Sequence, residues 1–343
     1  MNSSQLPQDL PAHYYTDDSR SQVTRSIIPC MVLATIALIL RLASRRIRRS
    51  RLVVSDYLAI GGLVFSSIGS LLMITAVPFG LGLHIEFVPP SSIRLLMINI
   101  FVGEIIYGIG FTFVKLSIIT LYRQLFPTRF MLASTTVLAV IFIMWGIAVI
   151  LVSIFSCNPI RGFWDSYLPD YNEPTKCIST SWFYIGISIP NILTDAILLC
   201  LPMRDIWHLH LPWHTKLAIS GLFTLGSFVI VASCFRIYYM LSLDTKDPSW
   251  SSTPGVVWSS MEMQISVVCC CLPTIRPVVS WLAPESIKRR LASSDRTLVI
   301  NTYHRHKLQA PRNLDSQATA FGSEIELSPL RTYEIEDAIT VAK

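Results

Sequence analysis

The sequence predicts an all-α membrane protein, a bundle of seven transmembrane helices. Three observations predict it. Hydrophobic residues make up 52% of the chain and mean hydropathy is +0.51, both high for a protein with a water-facing surface. The apolar residues collect into seven long runs, each able to cross a hydrocarbon core of about 30 Å as a helix. The connections between the runs alternate in positive charge, the pattern of loops sorted to opposite faces of a bilayer.

The first run, Ser26–Leu42, follows a polar segment with no apolar centre, so the run itself, not a cleavable leader, is expected to direct insertion. The second, Asp56–Val77, opens on an acidic residue. The third, Arg94–Tyr122, carries Glu104 and Lys115, and the fourth is Met131–Phe155. The fifth, Ser181–Leu201, carries Pro190, Asn191 and Asp195. The sixth, Thr215–Leu241, carries Arg236. The seventh, Gly255–Trp281, carries Glu262, Gln264 and two prolines, Pro273 and Pro277. Prolines inside spanning helices are tolerated where neighbours or water take up the freed carbonyls.

Connections after the first, third and fifth runs hold Arg41 to Arg51, then Arg123 and Arg129, then Arg204 and Lys216. Those after the second, fourth and sixth hold Arg161, Lys176 and Lys246 beside Asp165, Asp170, Glu173, Asp244 and Asp247. Positive residues stay on the cytoplasmic side, which predicts the N-terminus outside and the C-terminus cytoplasmic. The chain then divides into an outer segment (1–25), a membrane domain (26–282) and a cytoplasmic, mostly disordered tail (283–343). In the tail, Lys288, Arg289 and Arg290 suit anionic headgroups. The tail is also where a cytoplasmic signalling partner would dock, with Ser328-Pro329 as a phosphorylation dipeptide. Asn2-Ser3-Ser4 is a glycosylation sequon at Asn2. The net charge of +6 is concentrated in the first connection, where a topology signal belongs, so nucleic acid is not an expected partner. The lipid bilayer is, with the plasma membrane as the expected location and another endomembrane as the alternative.

Of the eight cysteines, Cys157 and Cys177 share the outer loop after the fourth run. The outer face is oxidising, and a disulfide between them is expected; the alternative is a pair of free thiols. The remaining cysteines fall within apolar runs and read as core.

Ionisable groups in hydrocarbon cost at least about 2.5 kcal/mol each, so they are expected to face the bundle interior in pairs. Counting 1.5 Å per residue places Glu104, Arg236 and Glu262 in the outer half and Lys115 and Asp195 in the inner half. The expectation is an outer cluster of Arg236 with Glu262 and Glu104, and an inner pair of Lys115 with Asp195, which Asp56 joins. Two readings remain open: ion pairs that only tie helices together, or a cluster lining a cavity where a small-molecule ligand or a proton binds.

Read in order, these residues carry a resemblance. Gly80-Leu81-Gly82-Leu83-His84 follows the second run, and Glu104 and Tyr107 precede Lys115-Leu116-Ser117 and Leu121-Tyr122-Arg123. Cys157-Asn158-Pro159, Trp164 and Cys177 mark the outer loop. Asn191, Asp195, Leu201-Pro202, Gly226, Arg236, Glu262, Cys271-Leu272-Pro273 and Arg276-Pro277 complete the set. The chain from about Val23 to Ala283 resembles the fungal rhodopsin-like seven-helix membrane proteins, a group that includes mycotoxin-cluster membrane proteins and receptor-like surface sensors. The resemblance implies an outer amino terminus and a receptor-like or accessory role tied to secondary metabolism. It does not imply retinal: the Schiff-base lysine of retinal proteins lies in the seventh helix, and no lysine occurs between Gly255 and Trp281. No cofactor is expected.

Nor does an enzyme motif stand out. His84 sits in a Gly-rich outer turn, but further metal ligands are missing at suitable spacing, so no metal is expected. His208, His210 and His214 read as interfacial residues beside Trp207 and Trp213. The alternative to the receptor-like reading is a membrane-embedded cyclase or transporter acting on an apolar metabolite, with Glu104, Asp195 and Glu262 as buried acids.

Overall fold

A segment surrounded by hydrocarbon has no water to take its backbone N–H and C=O groups, so each apolar run closes its hydrogen bonds internally as a helix. The computed structural model describes residues 18–282 apart from 48, 126–127, 169–170, 208–212 and 245–246, with side chains described outside 203–222 and 275–282. The long helices are α1 (Arg20–Ile47), α2 (Val54–Ala76), α3 (Pro90–Leu125), α4 (Arg129–Ile154), α5 (Thr180–Trp207), α6 (Trp213–Leu241) and α7 (Thr253–Leu282). All seven are long and apolar enough to span a membrane. The Asn2 sequon, the tail with Lys288 to Arg290 and Ser328-Pro329, and His208 and His210 lie outside the described residues.

Several helices overrun the apolar runs that predict them. α1 starts at Arg20 because Asp18 accepts a hydrogen bond from the Arg20 backbone N–H at 3.0 Å, and its carboxylate pairs with the Arg20 side chain at 2.7 Å. That side-chain bond holds the Asp18 carboxyl below its ordinary value. α3 opens on Pro90, whose missing N–H is no loss at a helix start. With 36 residues α3 is about 54 Å long, well beyond the hydrocarbon thickness.

α7 packs against α1, α2, α3 and α6, while α3 packs against α2, α4 and α7. The most apolar window of α7 is 72% buried, against 28–44% for the other six helices. This places α7 innermost, and with it the acid at position 262. α4 shows the opposite pattern: Val137, Val140, Met144, Ile147 and Leu151 form an exposed apolar face suited to lipid tails.

After α4 the chain forms a two-residue strand β1 (Cys157–Asn158), paired antiparallel with β2 (Lys176–Cys177). The Cys157–Cys177 disulfide joins them. This end of the bundle also carries the α2–α3 and α6–α7 connections and is called the disulfide end below.

Candidate functional site

The spacing of polar residues on four helices turns them toward one axis. On α3, Glu104, Tyr107, Phe111 and Lys115 follow steps of three and four residues, which is one helix face. Tyr184, Asn191 and Asp195 share a face of α5 on the same rule, as do Ser233 and Arg236 on α6 and Glu262 and Ser266 on α7.

These faces meet in one buried polar network. Lys115 Nζ stands 3.0 Å from Asp195 Oδ1 and donates to Asn191 Oδ1 (2.6 Å) and Thr194 Oγ1 (2.9 Å). That uses the three donors of the ammonium. The rings of Phe111, Phe142 and Trp145 surround it at 5.0–5.5 Å, within cation–π range. Asn191 then turns its amide to Glu262, with Nδ2 donating to Oε1 at 2.9 Å. Glu262 also accepts from the Ser233 hydroxyl and from Tyr107 Oη at 3.2 Å. Arg236 Nε lies 3.2 Å from Glu262 Oε2, and its guanidinium sits over the Tyr107 ring at 4.9 Å.

Two expectations need correction. The outer and inner sets are not isolated from one another, because the Asn191 side chain joins Lys115 to Glu262. Depth counting cannot show this, since it places charges and ignores the amide between them. Asp56 does not join the Lys115 pair. It takes Arg41 Nε at 2.9 Å and Arg45 Nε at 3.0 Å, and it accepts from the Val53 backbone N–H at the start of α2 (3.1 Å). Arg41, counted from sequence as a loop charge, is fully buried. It also donates through Nη1 to Cys270 O on α7 (2.5 Å) and through Nη2 to Ser55 Oγ (3.1 Å).

Glu104 stands apart from the Arg236–Glu262 contact. Tyr184 Oη donates to its Oε1 at 3.2 Å, and Arg236 is within electrostatic reach. Glu104 lines a partly open cavity of about 120 Å³ at the disulfide end. α3, α4, α5, the disulfide loop and the α6–α7 connection form its walls. Polar atoms come from Ser153, Ser156, Tyr167 and Ser252, and apolar walls from Met97, Phe101 and Phe163. Burial pushes the Tyr167 phenol above its ordinary value, so it remains a neutral donor. A second cavity of about 60 Å³ lies between α3, α5, α6 and α7, with Asp195, Tyr122 and Ser266 in its wall. Asp195 carries the network to the second cavity; Glu104, at the first, adjoins it through the charge of Arg236. Among the described residues no three His, Cys, Asp or Glu side chains converge as metal ligands.

The Gly80–His84 turn closes the disulfide end. Gly80 ends a short 3-10 turn with φ +112°, and Gly82 has φ +92°, conformations open to glycine without strain. A Cβ on Gly82 would also meet Arg20 N at 2.9 Å. The turn is bonded to two other segments: Ser19 N donates to Gly82 O and Gly82 N to Ser249 O, each at 3.1 Å. His84 Nδ1 pairs with Asp247 Oδ2, and the ring stacks on Trp250 at 4.9 Å. Asp247 also accepts from Ile85 N at 2.9 Å. Sequence reasoning used Asp247 only as a loop charge; 163 residues separate it from His84. Sequence reasoning also missed the Ser233 and Tyr184 roles, although both lie on the polar faces of their helices.

The family model for the fungal rhodopsin domain matches residues 40–281. The satratoxin biosynthesis SC1 cluster protein 4 of Stachybotrys chartarum is 28% identical over 183 residues, 53% of this chain and 65% of that protein. The polyenoic acids biosynthesis gene cluster protein Ba17b of Metarhizium anisopliae is 26% identical over 263 residues, 72% of this chain and 70% of that protein. The receptor GIN3 of Arthrobotrys oligospora is 25% identical over 187 residues, 53% of this chain and 43% of that protein. The chain therefore spans less than two thirds of the first and third of these relatives. No solved structure matches it.

Proposed function

This chain belongs to the fungal rhodopsin family, and we propose that it is a receptor-like membrane protein that reads a small molecule of secondary metabolism in the disulfide-end cavity. In this proposal the N-terminus is outside, the chain sits in the plasma membrane, and the tail from residue 283 meets a cytoplasmic signalling partner. The observation that carries the reading is Glu104. It faces a cavity, where Tyr184 donates to it, and it lies within electrostatic reach of Arg236, from which a buried chain of contacts runs to Asp195 in the wall of the second cavity. A ligand that engages Glu104 changes the field on Arg236, whose bonds to Glu262 then rearrange. Cluster-named and receptor-named relatives support the biological setting.

The buried acids argue against a cyclase. Glu262 and Asp195 each stand within 3.2 Å of a basic side chain on a neighbouring helix, the arrangement of an interhelical tie. A transporter finds one support, a cavity at either end of the polar residues, with the Lys115–Asn191–Glu262 bonds lying between them.

The test is complementation of a null strain with the wild-type gene, Glu104→Gln, Glu262→Gln and Asp195→Asn. The expected outcome is loss of the transcriptional response to spent medium in Glu104→Gln, with the carbon skeletons of the metabolites unchanged in all three variants. Loss of a cyclised product with accumulation of its linear precursor would overturn the receptor reading.

A further inference from the structure

The cavity holds a second, more specific pattern. Several hydroxyls on helices in this protein find partners one turn back: Thr135 to Met131 O, Ser233 to Val229 O, Ser259 to Gly255 O and Ser266 to Glu262 O. Ser153 on α4 does not. Around Ser252 the same contrast holds, since Ser249 donates to Leu83 O, Ser251 to Asp247 O and Thr253 to Ser249 O. Among the described residues, four serine hydroxyls are buried without a hydrogen-bond partner, those of Ser153, Ser156, Ser188 and Ser252; the three other than Ser188 share one cavity. All three line the disulfide-end cavity, and the residues are only 3%, 8% and 5% exposed. They stand on different walls: the end of α4, the approach to the disulfide and the start of α7.

Buried hydroxyls left unpaired cost stability, and back-bonding to the carbonyl one turn earlier is the local relief open to Ser153. Three such groups around one cavity mark positions where a bound molecule supplies the partner. Between them lie Phe101, Phe163 and Met97, which suit an apolar skeleton. Glu104, an acceptor when ionised, suits a ligand hydroxyl and disfavours a ligand carboxylate. The volume of about 120 Å³ matches a ring-sized body.

We infer that the cavity binds an apolar, ring-sized metabolite skeleton bearing two or more hydroxyl groups, held by Ser153, Ser156, Ser252 and Glu104. This rests on the receptor reading above and names the class of molecule that reading leaves open.

The test uses the full chain in lipid nanodiscs and two probes of one skeleton: terpin, a monoterpene diol, and menthane, its parent hydrocarbon. Terpin is expected to raise the melting temperature and menthane to leave it unchanged. Each of Ser153→Ala, Ser156→Ala and Ser252→Ala is expected to weaken terpin binding by about two- to tenfold, the range for one hydrogen bond. The same variants are expected to melt no lower than wild type without probe, because no protein partner is lost. A lower melting temperature in all three variants without probe makes the hydroxyls structural and overturns the inference. Equal binding of terpin and menthane, or no binding of terpin, also overturns it. The receptor reading has a separate readout, Ser252→Trp in the null strain: a filled cavity with an intact response to spent medium overturns that reading, whereas a lost response preserves it even where terpin fails.

Discussion

Two buried arginines divide the work of this bundle differently. Arg41 is bonded on every side: Nε to Asp56, Nη1 to the Cys270 carbonyl and Nη2 to Ser55. It ties α1 to α2 and α7 in one geometry. Arg236, equally removed from solvent, has a single close carboxylate contact, and among the described residues its Nε and Nη2 have no hydrogen bond of good geometry. A guanidinium offers five donors in a fixed fork. One that is satisfied holds still; one that is not has alternatives within reach. Arg41 therefore reads as a fastening, and Arg236, between Glu104 and Glu262, reads as the group that rearranges.

The comparison can be broken in decreasing steps. Asp56→Leu strands Arg41 in the core and is expected to destabilise the protein by about 3–5 kcal/mol, read by denaturant unfolding in nanodiscs. A loss below that of Arg236→Leu would remove the distinction. Arg236→Leu is expected to cost less, because Glu262 keeps donors from Ser233, Tyr107 and Asn191. Adding Glu262→Leu is expected to restore part of the loss, with a coupling of about 0.5–3 kcal/mol in the double-mutant cycle. No coupling would mean the 3.2 Å contact does not bind the two helices. Tyr107→Phe is the smallest change: it removes one hydrogen bond to Glu262 and keeps the ring under Arg236, an expected cost of about 0.5–1.5 kcal/mol. The same variant is expected to alter the spent-medium response more than the melting temperature, the mark of a group that positions Arg236.

Hydropathy made the seven helices legible because a bilayer forces long apolar runs, and a fixed rise per residue brings Lys115 to the level of Asp195, where the two stand 3.0 Å apart. The same count handles Arg236 and Glu262. It fails where polarity is neutral or distant. Asn191 carries no charge, so nothing marked it as the bridge between Lys115 and Glu262. Arg41 follows an apolar run among five other arginines, and a charge count treats the whole group as loop. His84 and Asp247 meet only because two connections close over the same end. The three unpaired serines of the cavity are invisible in sequence, since a hydroxyl's partner depends on the fold.

The bond from Arg41 to the Cys270 carbonyl joins residues 229 positions apart. At about 5–20 residues per second on the ribosome, roughly 11–46 s pass between the making of the two. Asp56 and Ser55 emerge almost at once, so the first hairpin can neutralise its guanidinium early and then wait, one donor unspent, for the final helix. A chain that stops before that helix leaves this donor of Arg41 without its carbonyl.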